Sequence, residues 1–192
     1  MLAVIQRYDM WILDYTYIHF HNLVLDKMMP LVTSLGNGAI IWIIISAILM
    51  LNKKYRNIGF MVLGSLLLSS LIADCLLKNI IQRVRVIADI PTVNLLIPMP
   101  LSYSFPSGHT ATSFAAAGVL AKEFKRYRIY FLALASVIAF SRIYLYVHYP
   151  TDIISGIVIG LICAYIVLIL SKSKTAQGLF VRIIKVKSKS EE

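Results

Sequence analysis

The sequence predicts an all-α membrane protein, a polytopic helix bundle of five to six transmembrane helices. Hydrophobic residues make up 59% of the 192 residues and charged residues only 15%, whereas about a quarter of a soluble domain is charged. The charges are also clustered, so that residues 28–52 and 153–171 contain none. A helix needs about 20 mostly apolar residues to cross a bilayer core of roughly 30 Å, and these stretches meet that requirement.

The chain is predicted to have three parts. Residues 1–36 are interpreted as amphipathic helices, lying along the membrane or partly inserted, because aromatic residues stand among polar ones. Residues 37–171 contain the main spanning helices, and residues 172–192 form a basic tail that rests on anionic lipid or in solvent. The five predicted spanning helices cover residues 37–52, 57–82, 107–122, 128–146 and 151–171.

The basic residues predict which side of the membrane each loop occupies. Most Lys and Arg residues fall in three clusters, at 53–56, 122–128 and 172–189. Five alternating helices place all three clusters on the same side, which is expected to be cytoplasmic because loops rich in Lys and Arg stay inside. The net charge of +10 is therefore interpreted as a topology signal. Nucleic-acid binding is not expected, since the clusters are short and attached to membrane helices.

No metal, cofactor or disulfide is predicted. Cys75 and Cys163 both fall inside apolar spans, where they are interpreted as small buried residues. His19 and His21 lack the accompanying Cys or carboxylate cluster of a metal site, and they are interpreted as interfacial side chains.

Five polar residues are predicted to meet at the outer ends of the spanning helices. Placing charge there requires a reason, because charge within a membrane helix is costly. Lys78 and Arg85 are two helical turns apart and share a face if the helix continues. Asp74 lies one turn before Lys78 and is expected to form an ion pair with it. The five residues are Lys78, Arg85, His109, Arg142 and His148.

These residue types suit a phosphate group. Lys and Arg provide fixed positive charge, and Arg binds phosphate oxygens in a bidentate way. Ser107-Gly108-His109 begins a predicted helix, whose N-terminus presents unpaired N–H groups to an anion. Ser107 suits an N-cap or a hydroxyl donor to phosphate, and Gly108 allows close approach of the backbone.

Two histidines could then divide a phosphoryl-transfer reaction, one attacking phosphorus and the other protonating the leaving oxygen. Asp152 follows His148 by four residues, so its carboxylate is expected to bind one imidazole nitrogen and leave the other free to attack. His109 has no carboxylate at that spacing, which favours it as the acid.

Three stretches resemble the signature motifs of the type 2 phosphatidic acid phosphatase superfamily. They are "KNIIQRVR" (78–85), "PSGH" (106–109) and "SRIYLYVHYPTD" (141–152), in the order and with the internal spacing of that family. The resemblance implies a metal-independent lipid phosphate phosphatase, with residues 37–171 as its membrane core.

The resemblance also implies a role for each matching residue. His148 would be the nucleophile that forms a phosphohistidine, His109 the acid, and Asp152 the partner that orients His148. The residues implied to bind the substrate phosphate are Lys78, Arg85, Ser107, Gly108 and Arg142.

The expected substrate is a lipid that carries a phosphate or pyrophosphate group. An outward-facing site suits undecaprenyl pyrophosphate, and phosphatidylglycerol phosphate and phosphatidic acid are the alternatives. By resemblance, the protein is expected to be a multi-pass protein of a bacterial inner membrane, with the active site facing outside. Its expected partners are the lipid substrate and membrane lipids; the oligomeric state is not predicted.

One position departs from the motifs. The family has Pro after the Arg of its first motif, and this chain has Val86. Because Pro would restrict the backbone there, Val86 predicts weaker activity and favours an alternative, a catalytically weakened lipid-phosphate-binding or transport protein. The intact His109, His148 and Asp152 favour an enzyme. A vanadium haloperoxidase, the third alternative, fits a small membrane chain poorly.

Overall fold

The computed structural model describes residues 2–86 and 95–173, and all regular secondary structure within them is helical. The predicted tail therefore lies outside the described residues from 174 onward. Short 3₁₀ turns precede the third and sixth helices. The helices within the described residues are α1 (Leu2–Phe20), α2 (Leu23–Leu35), α3 (Ile40–Leu51), α4 (Arg56–Ile81), α5 (Gly108–Glu123), α6 (Arg128–Tyr144) and α7 (Pro150–Leu170).

Three helices in the described residues are long and apolar enough to cross a membrane, namely α4, α6 with its preceding turn, and α7. The helices α2 and α3 meet at a bend of 55° and together form a fourth candidate span. The chain is thus an all-helical, multi-pass membrane protein, and the finer count of five to six spans remains a prediction.

Two predicted spans differ from the helices that form. The span predicted at 37–52 contains α3, whose 12 residues reach only about 18 Å at 1.5 Å per residue. The helix begins late because Gly38 and Ala39 adopt left-handed backbone angles, with φ of 56° and 57°. The span predicted at 107–122 corresponds to α5, whose 16 residues reach about 24 Å.

The helix α5 forms the centre of the bundle and packs against α4, α6 and α7. Its small residues, such as Ala111 and Ala115, are fully buried. On α7, a Cβ added at Gly156 or Gly160 would collide with backbone atoms of the α5 segment. Such small residues let two membrane helices approach closely. This packing fixes the N-terminus of α5 in the middle of one end of the bundle.

The helix α1 lies against α6 and α7 and has an unusual polarity. Its exposed side carries the aromatic residues Tyr8, Trp11 and Tyr15, while Asp9 is buried. Aromatic side chains suit a membrane interface, and the inward carboxylate points to polar partners inside the protein.

Candidate active site

The structure brings the five predicted polar residues to one cavity of about 760 Å³. Lys78 comes from the end of α4, Arg85 from the loop after it, and His109 from the first turn of α5. The end of α6 provides Arg142, and the loop between α6 and α7 provides His148. Residues from three helices and two loops therefore converge at the same end of the bundle.

The start of α7 places Asp152 beside His148. Pro150 occupies the first turn, and the Asp152 carboxylate accepts a hydrogen bond from the Tyr149 backbone N–H at 3.0 Å, as in a capping box. Oδ2 of Asp152 lies 3.4 Å from Nδ1 of His148. The helix start that this sequence encodes thus also orients the carboxylate toward the imidazole.

The other imidazole nitrogen of His148 faces Arg85. Nη1 of Arg85 lies 3.3 Å from Nε2 of His148, and a guanidinium can only donate. Nε2 therefore accepts, and the ring proton lies on Nδ1 toward Asp152. Burial lowers the pKa of His148 to about 3; the hydrogen bond with Asp152 opposes this shift and the charge of Arg85 adds to it. The imidazole is thus neutral near pH 7.

Arg85 is held by backbone acceptors. Its Nε donates to the Ser102 carbonyl at 2.7 Å, and its Nη1 donates to the Val147 carbonyl at 2.5 Å. Burial lowers the pKa of Arg85 to about 10, against the charge of Asp152, which raises it. The guanidinium thus stays charged near neutral pH.

Val86, where the family has Pro, is also firmly held. It is 2% exposed and packs in an apolar cluster with Leu13, Tyr146 and Tyr149. Packing against these side chains anchors the backbone after Arg85.

Arg142 carries an unused hydrogen-bond donor. Its Nη1 donates to Oγ1 of Thr33 in α2 at 2.5 Å. Its Nε is the one buried side-chain N or O atom without a hydrogen-bond partner in the part of the chain that the structure describes. An unpaired buried donor is costly, and Arg142 lines the cavity. A bound anion would remove that cost.

Lys78 forms the predicted ion pair with Asp74, with 2.6 Å between Nζ and Oδ1. Asp74 lies in a π-helical segment of α4, Leu71–Leu77; such segments are frequent at functional sites. The Asp74 carboxylate also approaches Gly108, where an added Cβ would collide with it. Ser107 is the N-cap of α5, and its Oγ accepts from the Thr110 backbone N–H.

Arg83 belongs to the site although the sequence analysis assigned it no role. Nη1 of Arg83 donates to Oδ1 of Asp152 at 2.7 Å, and Nη2 donates to Oδ2 of Asp9 at 2.7 Å. Its guanidinium also stacks over the Tyr149 ring, 3.6 Å from the centroid. The sequence did contain one indication of this role. Arg83 lies on the side of the membrane predicted to be outside, where the positive-inside rule does not account for a basic residue.

The carboxylates of α1 and α2 hold the segment around His148, which the sequence analysis also missed. Tyr146 lies in this segment with a left-handed φ of 59°, a strained conformation for a bulky residue. A hydrogen bond to Asp14 and the cluster with Leu13 stabilise it. The sequence contained one indication of these contacts: three of the nine acidic residues lie within the first 26 positions. The hydrogen-bonded pairs are Asp9 with Thr151, Asp14 with Tyr146, and Asp26 with Tyr144.

Replacing Arg83 with Gln is expected to destabilise the protein by about 3–5 kcal/mol, because it leaves the buried carboxylates of Asp9 and Asp152 without their cation. Thermal unfolding of the detergent-solubilised protein measures the effect. Arg7→Gln is the matched control, since Arg7 is exposed on the same helix as Asp9. Equal unfolding midpoints for the two variants would show that the bridge contributes no stability.

Among the described residues, no three His, Cys, Asp or Glu side chains lie close enough together to hold a metal ion.

The chain belongs to the PAP2 superfamily, whose model matches residues 58–176. The predicted resemblance is thereby confirmed, and the matched region contains all three motifs.

Individual relatives support this membership. Over 121 residues the chain is 31% identical to an undecaprenyl-diphosphatase of Sulfolobus acidocaldarius, covering 62% of this chain and 58% of that protein. It is 28% identical over 148 residues to the undecaprenyl-diphosphatase BcrC of Bacillus subtilis, covering 76% of this chain and 75% of that protein. The chain thus spans less than two thirds of the Sulfolobus relative.

Two solved structures share the fold. LpxE of Aquifex aeolicus superposes with a TM-score of 0.73 at 27% identity, covering 83% of this chain and 93% of that chain. A PAP2-type phosphatidylglycerolphosphate phosphatase from Bacillus subtilis superposes with a TM-score of 0.71 at 27% identity, covering 87% and 85%.

Proposed function

We propose that this protein is a hydrolase that removes phosphate from a membrane lipid through a phosphohistidine on His148. The observation that carries the proposal is the placement of His148, with Nδ1 directed at Asp152 and a neutral Nε2 beside Arg85. A nucleophile needs this combination of an unprotonated lone pair and an oriented ring.

The cavity supplies the charge for a phosphate. Lys78, Arg85 and Arg142 line it and neutralise the phosphate oxygens, and the unpaired Nε of Arg142 gains an acceptor. The N-terminus of α5, at Ser107 and Gly108, adds backbone N–H groups. Preorganised donors of this kind stabilise the charge that develops as the leaving oxygen departs.

The first half of the reaction transfers the phosphoryl group to the enzyme. Nε2 of His148 attacks phosphorus, the bond from phosphorus to the lipid oxygen breaks, and His109, held as an imidazolium beside the negatively charged phosphate, gives a proton to that oxygen. Asp152 accepts the hydrogen bond from Nδ1–H and stabilises the positive charge that the phosphorylated ring acquires.

The second half releases phosphate. His109, now lacking its proton, takes one from a water molecule as the water oxygen attacks phosphorus. The bond between phosphorus and Nε2 breaks, which restores His148 and frees inorganic phosphate. One water is consumed, and His109 ends with the proton it began with.

The cavity wall has an apolar side that suits a lipid chain. Ile43 of α3 and Leu63, Leu66 and Leu67 of α4 line it, so a chain bound there lies beside the phosphate site. Undecaprenyl pyrophosphate is the preferred substrate, supported by the relatives described as undecaprenyl-diphosphatases. Phosphatidylglycerol phosphate and phosphatidic acid are the alternatives, the former supported by a structural relative.

The purified protein should release phosphate from undecaprenyl pyrophosphate faster than from phosphatidylglycerol phosphate or phosphatidic acid. The activity should survive EDTA, because Lys78, Arg85 and Arg142 supply the charge that a metal ion would otherwise supply. Phosphate release from the three lipids, with and without EDTA, measures both effects. Loss with EDTA that Mg²⁺ restores would contradict the metal-independent mechanism. Binding of all three lipids without phosphate release would support the lipid-binding or transport alternative.

The site is proposed to face outward from a bacterial inner membrane, and cysteine labelling tests this. A membrane-impermeant thiol reagent applied to cells without an outer barrier should label Leu101→Cys and spare Lys125→Cys. Cys75 must first be replaced by Ser, because it is exposed. The burial predicted for it from the sequence is wrong, since its face of α4 points away from the protein interior. Labelling of position 125 after permeabilisation is the control. Reverse labelling in intact cells would place the site in the cytoplasm.

A further inference from the structure

The two histidines of the cavity have different hydrogen-bond partners. His148 is paired with the carboxylate of Asp152. Nε2 of His109 lies 2.9 Å from Oδ1 of Asn37, in the turn between α2 and α3. An amide oxygen can only accept a hydrogen bond. Nε2 of His109 therefore carries a hydrogen and donates it to the amide oxygen.

We infer that Asn37 is a positioning residue: its amide oxygen accepts a hydrogen bond from Nε2–H of His109 and so orients the ring, which leaves Nδ1 to carry the acid proton. The inference rests on the proposed function, since it assigns a partner to the proposed acid. Asn37 and His109 both line the cavity, so the amide sets the orientation of the ring at the place where a leaving oxygen would be protonated.

The backbone around Asn37 is built for close approach to the imidazole. A Cβ added at Gly36 would come within 2.6 Å of Cδ2 of His109 and 3.0 Å of Ile138. Gly38, on the other side, has a φ of 56°, in the left-handed region where glycine is favoured. Glycine on both sides thus lets the turn fit against the ring of His109.

The partner's charge decides how readily the proton is released. A carboxylate stabilises the protonated imidazole and so makes it a weaker acid, whereas a neutral amide orients the ring with much less of that stabilisation. In the transfer, the doubly protonated ring loses the hydrogen on Nδ1: that N–H bond breaks, its electron pair stays on nitrogen, and the departing lipid oxygen gains the hydrogen, while Nε2–H stays hydrogen-bonded to Asn37. The amide of Asn37 is therefore a suitable partner for an acid, His109, whereas the carboxylate of Asp152 is a suitable partner for a nucleophile, His148.

Comparing leaving groups tests this role. An alkoxide requires protonation as it leaves, whereas p-nitrophenolate is stable as an anion. Asn37→Ala should lower kcat by about 10–100-fold for a long-chain alkyl phosphate, part of the usual effect of a positioned acid, and by less than about 3-fold for p-nitrophenyl phosphate. Asn57→Ala, at an exposed position in the first turn of α4, is the control and should leave both rates unchanged. Equal losses for the two substrates in Asn37→Ala would overturn the inference.

A second variant keeps the test decisive if Asn37→Ala does not fold. Asn37→Asp places a carboxylate against Nε2 and should move the alkaline limb of the kcat profile for the alkyl phosphate to higher pH. An unmoved limb would overturn the inference. The other groups that face His109 are unchanged in this variant, so the shift belongs to position 37. Failure of the wild-type protein to hydrolyse either phosphate would instead reject the proposed function itself. The charged and titratable groups facing His109 are Asp74, Lys78, Arg85, Arg142 and His148.

Discussion

Replacing His148 with alanine is expected to lower kcat by at least about 10⁴-fold, as the loss of a nucleophile does in other hydrolases. His109, the other imidazole lining the cavity, has an amide partner instead of a carboxylate. The remaining cations can still bind phosphate, so binding of inorganic phosphate should persist. Phosphate release from the lipid and binding of inorganic phosphate to the detergent-solubilised variant measure the two effects.

Chemical trapping separates a lost nucleophile from a damaged fold. Wild-type protein mixed with ³²P-labelled substrate and quenched in base should retain label on protein, and His148→Ala should retain none. His19→Ala is the matched control, because His19 is an exposed histidine of α1. Full labelling of a correctly folded His148→Ala protein would remove His148 from the mechanism.

Replacing Asp152 with Asn is expected to lower kcat by about 10³–10⁴-fold, as in a hydrolase whose orienting carboxylate becomes an amide. The native carboxylate is fully buried and accepts from Arg83, Ser104 and the Tyr149 backbone, besides facing Nδ1 of His148. An amide would direct its NH₂ group at one of these donors. In either orientation of the amide, the ring of His148 loses the carboxylate charge that stabilises it once it is phosphorylated.

Asp152→Asn also leaves Arg83 with less neutralising charge, so stability and catalysis must be separated. In the double variant Arg83→Gln, Asp152→Asn, the loss of unfolding free energy should be smaller than the sum of the two single losses, because the contact between the two residues is lost only once, although Asp9 is still left without its cation. The kcat of the double variant should stay as low as that of Asp152→Asn, because His148 still lacks a carboxylate. Measuring thermal unfolding and phosphate release on the same preparations provides the comparison. A kcat that rises and falls with the unfolding midpoint across the single and double variants would make Asp152 a purely structural residue.

The sequence alone determined the features that depend on local spacing. Long uncharged stretches predicted a multi-pass helical protein, because a bilayer core demands about 20 apolar residues for each crossing. The ion pair of Asp74 with Lys78, four residues apart, follows the helical period. The four-residue interval from His148 to Asp152 likewise spans a loop and a helix start, and the two side chains meet.

Helix lengths were only partly predictable. Hydropathy predicted a span at 37–52, but left-handed backbone angles at Gly38 and Ala39 delay the start of α3. Hydropathy measures the preference for lipid and contains no information on these angles. The same turn brings Asn37 to His109, so the misplaced boundary is also where a site contact was missed.

Only the tertiary structure decided which residues surround the motifs. Asn37 meets His109 across 72 positions of sequence, and Arg83 meets Asp9 across 74. No helical period relates residues so far apart; their contacts exist because α5 is buried at the centre of the bundle and α1 lies across one end. The motifs could therefore be read from the sequence, whereas the partners that orient them depend on how the helices pack.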